Sequence, residues 1–307
     1  MQPGEAIRDE DGLLMGLLSN GVVPAYGSEL LQLFTKIIKT GPVLRLRFPW
    51  QLFKWNGAVI ATDFALQKER SAPLNFEGVH IKGVGQIFIH PEAQIEHCSL
   101  NATDGPIYIG KNALIMEGCL VRGPSAILEG AVLKMGAKVY GGTTIGPFCV
   151  AGGEIKNSIL MGYSNKAHDG YLGDSIVGEW CNLGAGTSNS NLKNNAGSVT
   201  LWNEATAQWE SAGSKCGLIM GDYSRAAINT SFNTGTVVGV CCNVFDQHLT
   251  PPYIPHFSWG ANGEVRYAFD KAVRDIENWM NLKNVVLQHT AIPVLKHIFD
   301  QGSTNPA

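Results

Sequence analysis

The chain has little charge for its length and no apolar run that could cross a membrane. Of 307 residues 16% are charged, and the net charge is −3. A phosphate-backbone partner needs a concentrated positive face, and no basic run is present, so nucleic acid is not an expected partner. A bilayer span takes roughly 20 consecutive apolar residues. None occurs, and the opening segment from Met1 to Asp11 is acidic rather than a basic leader with an apolar core. The expectation is a soluble, cytoplasmic protein with no membrane partner. C-x-x-C pairs are missing too. The seven cysteines (Cys98, Cys119, Cys149, Cys181, Cys216, Cys241 and Cys242) are odd in number and without zinc or redox spacing. Reduced, buried thiols and no metal are expected.

What is present is a repeat. Read in sixes, the middle of the chain gives Ile109, Ile115, Val121, Ile127, Leu133, Val139 and Ile145. Four residues after each stands a small side chain, in order Ala113, Cys119, Ser125, Ala131, Ala137, Thr143 and Cys149. The register also appears at Ile89 and Ile95, at Val177 and Leu183, and from Met220 through Ala226, Phe232 and Val238 to Val244. A period of six fits neither a helix nor a hairpin array. It fits a short strand plus a turn forming one side of a triangular coil, three sides making about 18 residues. Coils stacked about 4.8 Å apart place each aliphatic on the next and build the core. Four cysteines occupy the small slot, which gives them a structural role and argues against Cys181 as a nucleophile. The 36 glycines suit a chain of many turns.

The register fails between about 146 and 176, and again between 188 and 219, where loops are expected to leave the coil. In the second gap, Thr200–Trp202 and Ala207–Glu210 flank a polar turn and predict a hairpin arm able to reach a neighbouring subunit. The spacing of Val265, Phe269, Val273, Ile276 and Met280 predicts an amphipathic helix, and a second, around Asn284 to Asp300, is interrupted by Pro293. Near the N-terminus, Ser28 starts an expected helix through Leu30, Leu31, Leu33, Phe34, Ile37 and Ile38, with another around Ala58 to Lys68. The expected organisation is a helical N-terminal region over 1–75 that caps the first coil, a β-helix over 76–250 with an insertion near 198–218, and a helical extension over 251–307 that caps the last coil or a subunit contact. The fold class is all-β, a parallel β-helix with helical additions at both ends. The period leaves its hand open.

One stretch carries more than architecture. Lys166-Ala167-His168-Asp169-Gly170-Tyr171-Leu172-Gly173-Asp174, followed by Asn182-Leu183-Gly184-Ala185-Gly186-Thr187, is similar in order and spacing to K-A-x-H-x-x-Y-L-G-D and N-x-G-A-G-T. These motifs are those of the acetyltransferase domain of bifunctional N-acetylglucosamine-1-phosphate uridylyltransferases/glucosamine-1-phosphate N-acetyltransferases, and the resemblance covers roughly residues 85–245. The segment before the histidine is one residue shorter here. The whole chain also resembles sugar nucleotidyltransferases with a β-helix tail.

The resemblance implies a left-handed coil, a homotrimer with its active site between subunits, acetyl-CoA as co-substrate and an amino-sugar phosphate, above all glucosamine-1-phosphate, as acceptor. It implies His168 as catalytic base, Tyr171, Asn182 and Asn191 as substrate-holding residues, and Lys156 as the phosphate-binding lysine. The basic residue one coil earlier falls on Lys138, or on Arg122 by local sequence. The family has a tyrosine after the Asn191 position, where this chain has Leu192.

The chemistry suits these residues. An amine attacking a thioester must lose a proton, and a histidine, with an ordinary pKa near 6.5, accepts one at cellular pH without a metal. Asp169 and Asp174 are candidates to orient its ring. Gly184-Ala185 offers backbone N–H groups to acetyl-CoA and to an oxyanion. Lys138 and Lys156, 18 residues apart, are expected to stand one above the other, a repulsion that an anion between them would relieve. Two other readings stay open. Nucleotidyl transfer would need a Gly-rich phosphate loop, absent from residues 1–70, which then read as the remnant of a front domain. A non-catalytic β-helix scaffold is the other. A carbonic anhydrase would need three histidines on neighbouring coils, and His80, His90 and His97 are unsuitably spaced for that.

Overall fold

The computed structural model describes residues 2–9, 12–16, 33–41, 43, 45–69, 71–73 and 76–302. The chain divides into two units, Met1–Arg47 and Phe48–Ala307. The first holds a small sheet in which Glu5–Asp9 pairs antiparallel with Gly12–Gly16 and parallel with Lys36–Lys39. The helix expected from Ser28 is therefore corrected where it is described. Ile37 and Ile38 lie in a strand, where β-branched side chains are at ease. Residues 28–32 lie outside the described residues.

The second unit is a parallel β-helix with three faces, consistent with the left-handed form. The first face runs from His80–Lys82 to Tyr171–Gly173 and continues as Ser188–Asn189 paired with Ser231–Phe232. The second runs from Ile87–Ile89 to Tyr253–Ile254, and the third from Gln94–Ile95 to Asn243–Val244. All seven aliphatics of the central repeat and all seven of their small partners are buried. The mechanism is the one the period implies: Ser125 pairs with Thr143 and Ile127 with Ile145, 18 residues on, so each inward side chain lands on its counterpart.

The first break in the register is not a loop. The coil continues through it with shorter corners: Thr144 pairs with Ile159, 15 residues on, and Ile159 with Ile176, 17 on. Inward positions fall at Ala151, Ile155, Leu160, Lys166, Leu172 and Val177, so the ladder persists while the sixes fail. The second break is an excursion. Ile176 pairs with Ile219, and between them Val199–Asn203 and Gln208–Gly213 form the expected antiparallel hairpin.

Helix α1 (Trp50–Leu66) buries Trp50, Phe53, Asn56 and Ile60 along one stripe. It lies on the second face against the strands at 125–127, 143–145, 159–160 and 176–177, not over the first coil as a cap. Trp50 and Phe53 share a cluster with Ile176 and with Val199, Leu201 and Ala212 of the hairpin, so the arm folds back onto its own coil. Asn56 donates to the Gly142 carbonyl (2.8 Å) and to Thr144 (3.0 Å), which satisfies the one polar group in the stripe.

Helices α2 (Phe269–Asn281) and α3 (Ala291–Gln301) lie along the corner between the second and third faces rather than over the last coil. That corner carries a ladder of rings in a backbone region that usually takes glycine or asparagine: Phe148, Tyr163 and Trp180 all have φ near +60°. Stacking at 5.0 Å and then 4.2 Å offsets the strain. The second C-terminal helix starts at Ala291, later than expected. Pro293 therefore sits in its first turn, where the missing N–H costs nothing, and interrupts no helix.

Candidate active site

The first face gathers part of the expected constellation. Tyr171 and Asn191 meet: the Asn191 amide nitrogen donates to the Tyr171 phenol oxygen at 3.0 Å and to Asp174 Oδ2 at 2.5 Å. Asn157 donates to the other Asp174 oxygen at 2.6 Å. Asp174 is buried and holds φ of +49°, so its carboxylate is the hub of this network. Both of its oxygens are engaged by these amides, and it makes no hydrogen bond with His168, so this candidate does not orient that ring.

The polarity of the network can be deduced. An ionised carboxylate only accepts, so it turns the Asn191 nitrogen toward itself. That nitrogen's second hydrogen goes to Tyr171. Burial, with the Asp174 and Glu154 charges, pushes the Tyr171 hydroxyl up to about 12, so it keeps its proton. Its oxygen is occupied as an acceptor, and its O–H remains available to donate. Gly173 is required here, since a Cβ would collide with the Tyr171 ring lying across it.

Lys156 is exposed on the next strand, in register with Gly173, and its carbonyl accepts from the Asp174 N–H at 3.0 Å. Lys138 does not stack on it. The short coil puts Glu154, not Lys156, opposite Lys138, so the expected lysine pair is corrected to a lysine facing a glutamate. Arg122 lies one strand further off, exposed, and pairs with Asp104 at 3.0 Å. Arg122 and Lys138 share a shallow groove on the first face, and Lys156 and Tyr171 are not part of it.

His168 sits on the corner between the third and first faces, exposed, and its ring has no hydrogen-bond partner among the described residues. Asp169 is exposed beside it and accepts the Gly186 N–H through its carbonyl at 3.0 Å, so it has no hold on the ring either. Stacked beneath this corner is the turn Gly184-Ala185-Gly186. The Gly184 N–H is spent in the coil ladder on Ala226 (2.9 Å), so it is not available to a ligand. The Ala185 N–H has no acceptor among the described residues, as is also true of Met135 at the same corner three coils earlier.

Asn182 lies apart from Tyr171, on the third face, in register between Asn165 and Arg225. Arg225 is covered by α2, where its guanidinium donates to the Asp275 carbonyl (3.3 Å) and lies 5.3 Å from the Trp279 ring. Two residues of the motif have roles that sequence reasoning missed. Asp174 is one. Lys166 is the other, an inward lysine whose ammonium donates to the His168 carbonyl at 2.6 Å. Counting sixes from Leu160 through Lys166 to Leu172 would have found it.

The cysteines are as expected. All seven are free and buried, and burial pushes the Cys149 and Cys242 thiols up to about 12 and Cys181 up as well. Cys181 donates inward to the Gly221 carbonyl at 3.2 Å and cannot act as a nucleophile there. No three His, Cys, Asp or Glu side chains converge as metal ligands among the described residues, and no described helix is long and apolar enough to cross a membrane.

Comparison with known proteins agrees with the motif. The bifunctional protein GlmU of Methanocaldococcus jannaschii is 40% identical over 89 residues, which are 29% of this chain and 21% of that protein. The chain resembles the GlmU proteins. The GlmU of Thermus thermophilus is 35% identical over 130 residues, 34% of this chain and 28% of that one, so the chain spans under a third of the length of these curated relatives. No protein-family model matches. Among solved structures, a hexapeptide transferase family protein from Anaplasma phagocytophilum is 15% identical with a TM-score of 0.22, covering 66% of this chain and 90% of that one. The acetyltransferase domain of PglB from Neisseria gonorrhoeae, in complex with acetyl coenzyme A, is 12% identical with a TM-score of 0.22, covering 77% and 96%. At such scores no residue correspondence is taken from either.

Proposed function

We propose that this chain is an acetyl-CoA-dependent N-acetyltransferase that acts on an amino-sugar phosphate, glucosamine-1-phosphate first among them, as a step in sugar-nucleotide synthesis for the cell envelope. The observation that carries the reading is the bond between Asn191 and Tyr171, which engages the phenol oxygen as an acceptor and leaves its O–H to donate, on the face that adjoins the His168 corner. Lys156 and the Tyr171 hydroxyl supply a cation and a donor suited to a phosphate. His168 takes the proton from the sugar amine as its nitrogen attacks the thioester carbonyl carbon. The Ala185 N–H donates to the oxyanion. Collapse expels the coenzyme A thiolate, which takes the proton back from His168, and the products are an amide and a free thiol.

Asn182 and the Tyr171 cluster lie on different faces of one coil, and a homotrimer would let one site draw them from two neighbouring copies. The departure at Leu192, which is exposed, marks where acceptor preference would differ.

The test is purified protein with acetyl-CoA and glucosamine-1-phosphate, following thiol release, with His168→Ala alongside. Release that falls by about 100-fold or more in the variant supports the assignment, since a positioned base contributes about that much. Absence of release with glucosamine-1-phosphate and with other amino-sugar phosphates overturns it and favours a scaffold.

A further inference from the structure

Lys166 stands where the core should have an aliphatic. The inward column of the third face runs Ile115, Leu133, Ala151, Lys166, Leu183, Ala226, and Lys166 alone among these carries a charge, 2% exposed. Its stem replaces a leucine in filling the coil, with the small Ala151 paired beside it. An ammonium in such a place is costly unless its protons are taken up. Here it donates to two carbonyls, Gly152 (3.1 Å) and His168 (2.6 Å).

Both carbonyls need it. At the same corner of other coils, the residue after the inward one has its carbonyl bonded by a turn N–H: Ala137 to Lys134 and Thr187 to Gly184, each at 3.1 Å. The corner after Ala151 is two residues shorter, reaching the inward Ile155 at once, and has no turn N–H to offer Gly152. The Gly152-Gly153 pair makes that shortness possible, because a Cβ at either would strike the 167–170 corner stacked on it. The His168 carbonyl likewise has no other donor among the described residues. A leucine at 166 would fill the core and leave both carbonyls unbonded. The charge serves the corner, and the corner carries His168.

We propose that Lys166 is a positioning residue: its buried ammonium pins the backbone of His168 to the preceding coil and so fixes where the imidazole is presented. The proposal rests on His168 as the base. Lys166 touches no reactant and acts only through the corner.

The test compares wild type with Lys166→Met, which keeps the stem and removes the donor, and with Lys166→Gln, which keeps a shorter, neutral one. Amide hydrogen exchange at 167–170 and steady-state acetyl transfer are measured on each. The expected result is exchange at the corner faster by tenfold or more in the Met variant, with kcat lowered at least tenfold, KM for both substrates within twofold, and Gln between. Unchanged exchange and unchanged kcat in a folded Met variant overturn the proposal. If Met does not fold, the Gln variant is judged against wild type by the same two measurements. If wild type transfers no acyl group, the catalytic reading fails by itself, and exchange at the corner still decides whether Lys166 pins it.

Discussion

The Asn191 side-chain nitrogen stands 3.0 Å from the Tyr171 hydroxyl although 20 residues of chain separate them. Asp174 dictates the direction of that bond, because the same nitrogen is drawn to its carboxylate at 2.5 Å. Removing the hydroxyl in Tyr171→Phe should therefore remove one donor to the acceptor sugar phosphate without disturbing the Asn191–Asp174 contact. A hydrogen bond of this kind contributes about 1–2 kcal/mol. Expected is a KM for the sugar phosphate raised about tenfold, with KM for acetyl-CoA and the melting temperature little changed. Equal effects on both substrates would mean that the phenol faces something else.

Asp174→Ala should behave differently from Tyr171→Phe. It leaves the Asn157 and Asn191 amides beside a cavity with their donors unbonded, and each such group costs about 1–3 kcal/mol. A fall in melting temperature is expected together with the rise in KM, because Asn191 is then free to turn its oxygen toward Tyr171 and take up the phenol proton. Thermal unfolding and kinetics on the same preparations check this, and a variant as stable as wild type would contradict the hub role.

The two lysines separate the sequence expectation from the observed register. Lys138 faces Glu154, whereas Lys156 lies in register with Gly173, beside the residue that Tyr171 overlies. Lys156→Ala is expected to raise KM for the sugar phosphate by tenfold or more. Lys138→Ala should stay within about twofold, since an exposed lysine opposite a carboxylate adds little. The reverse ranking in steady-state kinetics would restore the expected pairing.

The coil was legible because its cause is periodic. Ile109 to Ile145 repeat in sixes only if each lands on its predecessor, and burial makes that visible in residue type. What hid between 146 and 176 were corners of four and five residues. They keep the ladder while shifting the count, so Ile155, Leu160 and Lys166 looked like the start of a loop. The placing of α1 and α2 on the flanks was not legible either, since an apolar stripe states that a helix packs and not on what. At the candidate site, motif order pointed to Tyr171 and Asn191, which the fold brings together, and to His168 on the adjoining corner. The role of Asp174 needed the turn that brings Asn157 and Asn191 to one carboxylate, and no spacing encodes that.

Thiol chemistry gives an independent check on the core. All seven cysteines are buried, and burial holds the thiols of Cys98, Cys149, Cys181, Cys216, Cys241 and Cys242 well above their ordinary range, so thiolate is scarce at neutral pH. Iodoacetamide at pH 7.5 is expected to label less than one thiol in the folded protein and all seven in denaturant, with acetyl transfer unaffected by the native treatment. Rapid loss of activity with one label incorporated would reopen cysteine catalysis.

The last prediction concerns pH and follows from Lys166. Burial lowers its pKa from 10.5 to about 8, against a smaller opposing effect of Asp169. Below pH 8 the lysine is protonated in both folded and unfolded chains, and the folded state bears the whole cost of enclosing the charge. Between pH 8 and 10.5 the unfolded chain keeps the proton and the folded one releases it, so unfolding takes up a proton and folding is favoured as pH rises. The shift corresponds to about 3 kcal/mol across that window. Wild type should therefore gain stability relative to Lys166→Met between pH 7 and 10, by most of that amount, in urea titrations at each pH. Tyrosines and cysteines ionise in both proteins and cancel in the difference. A difference that stays flat from pH 7 to 10 would mean that the ammonium is not enclosed as the coil places it.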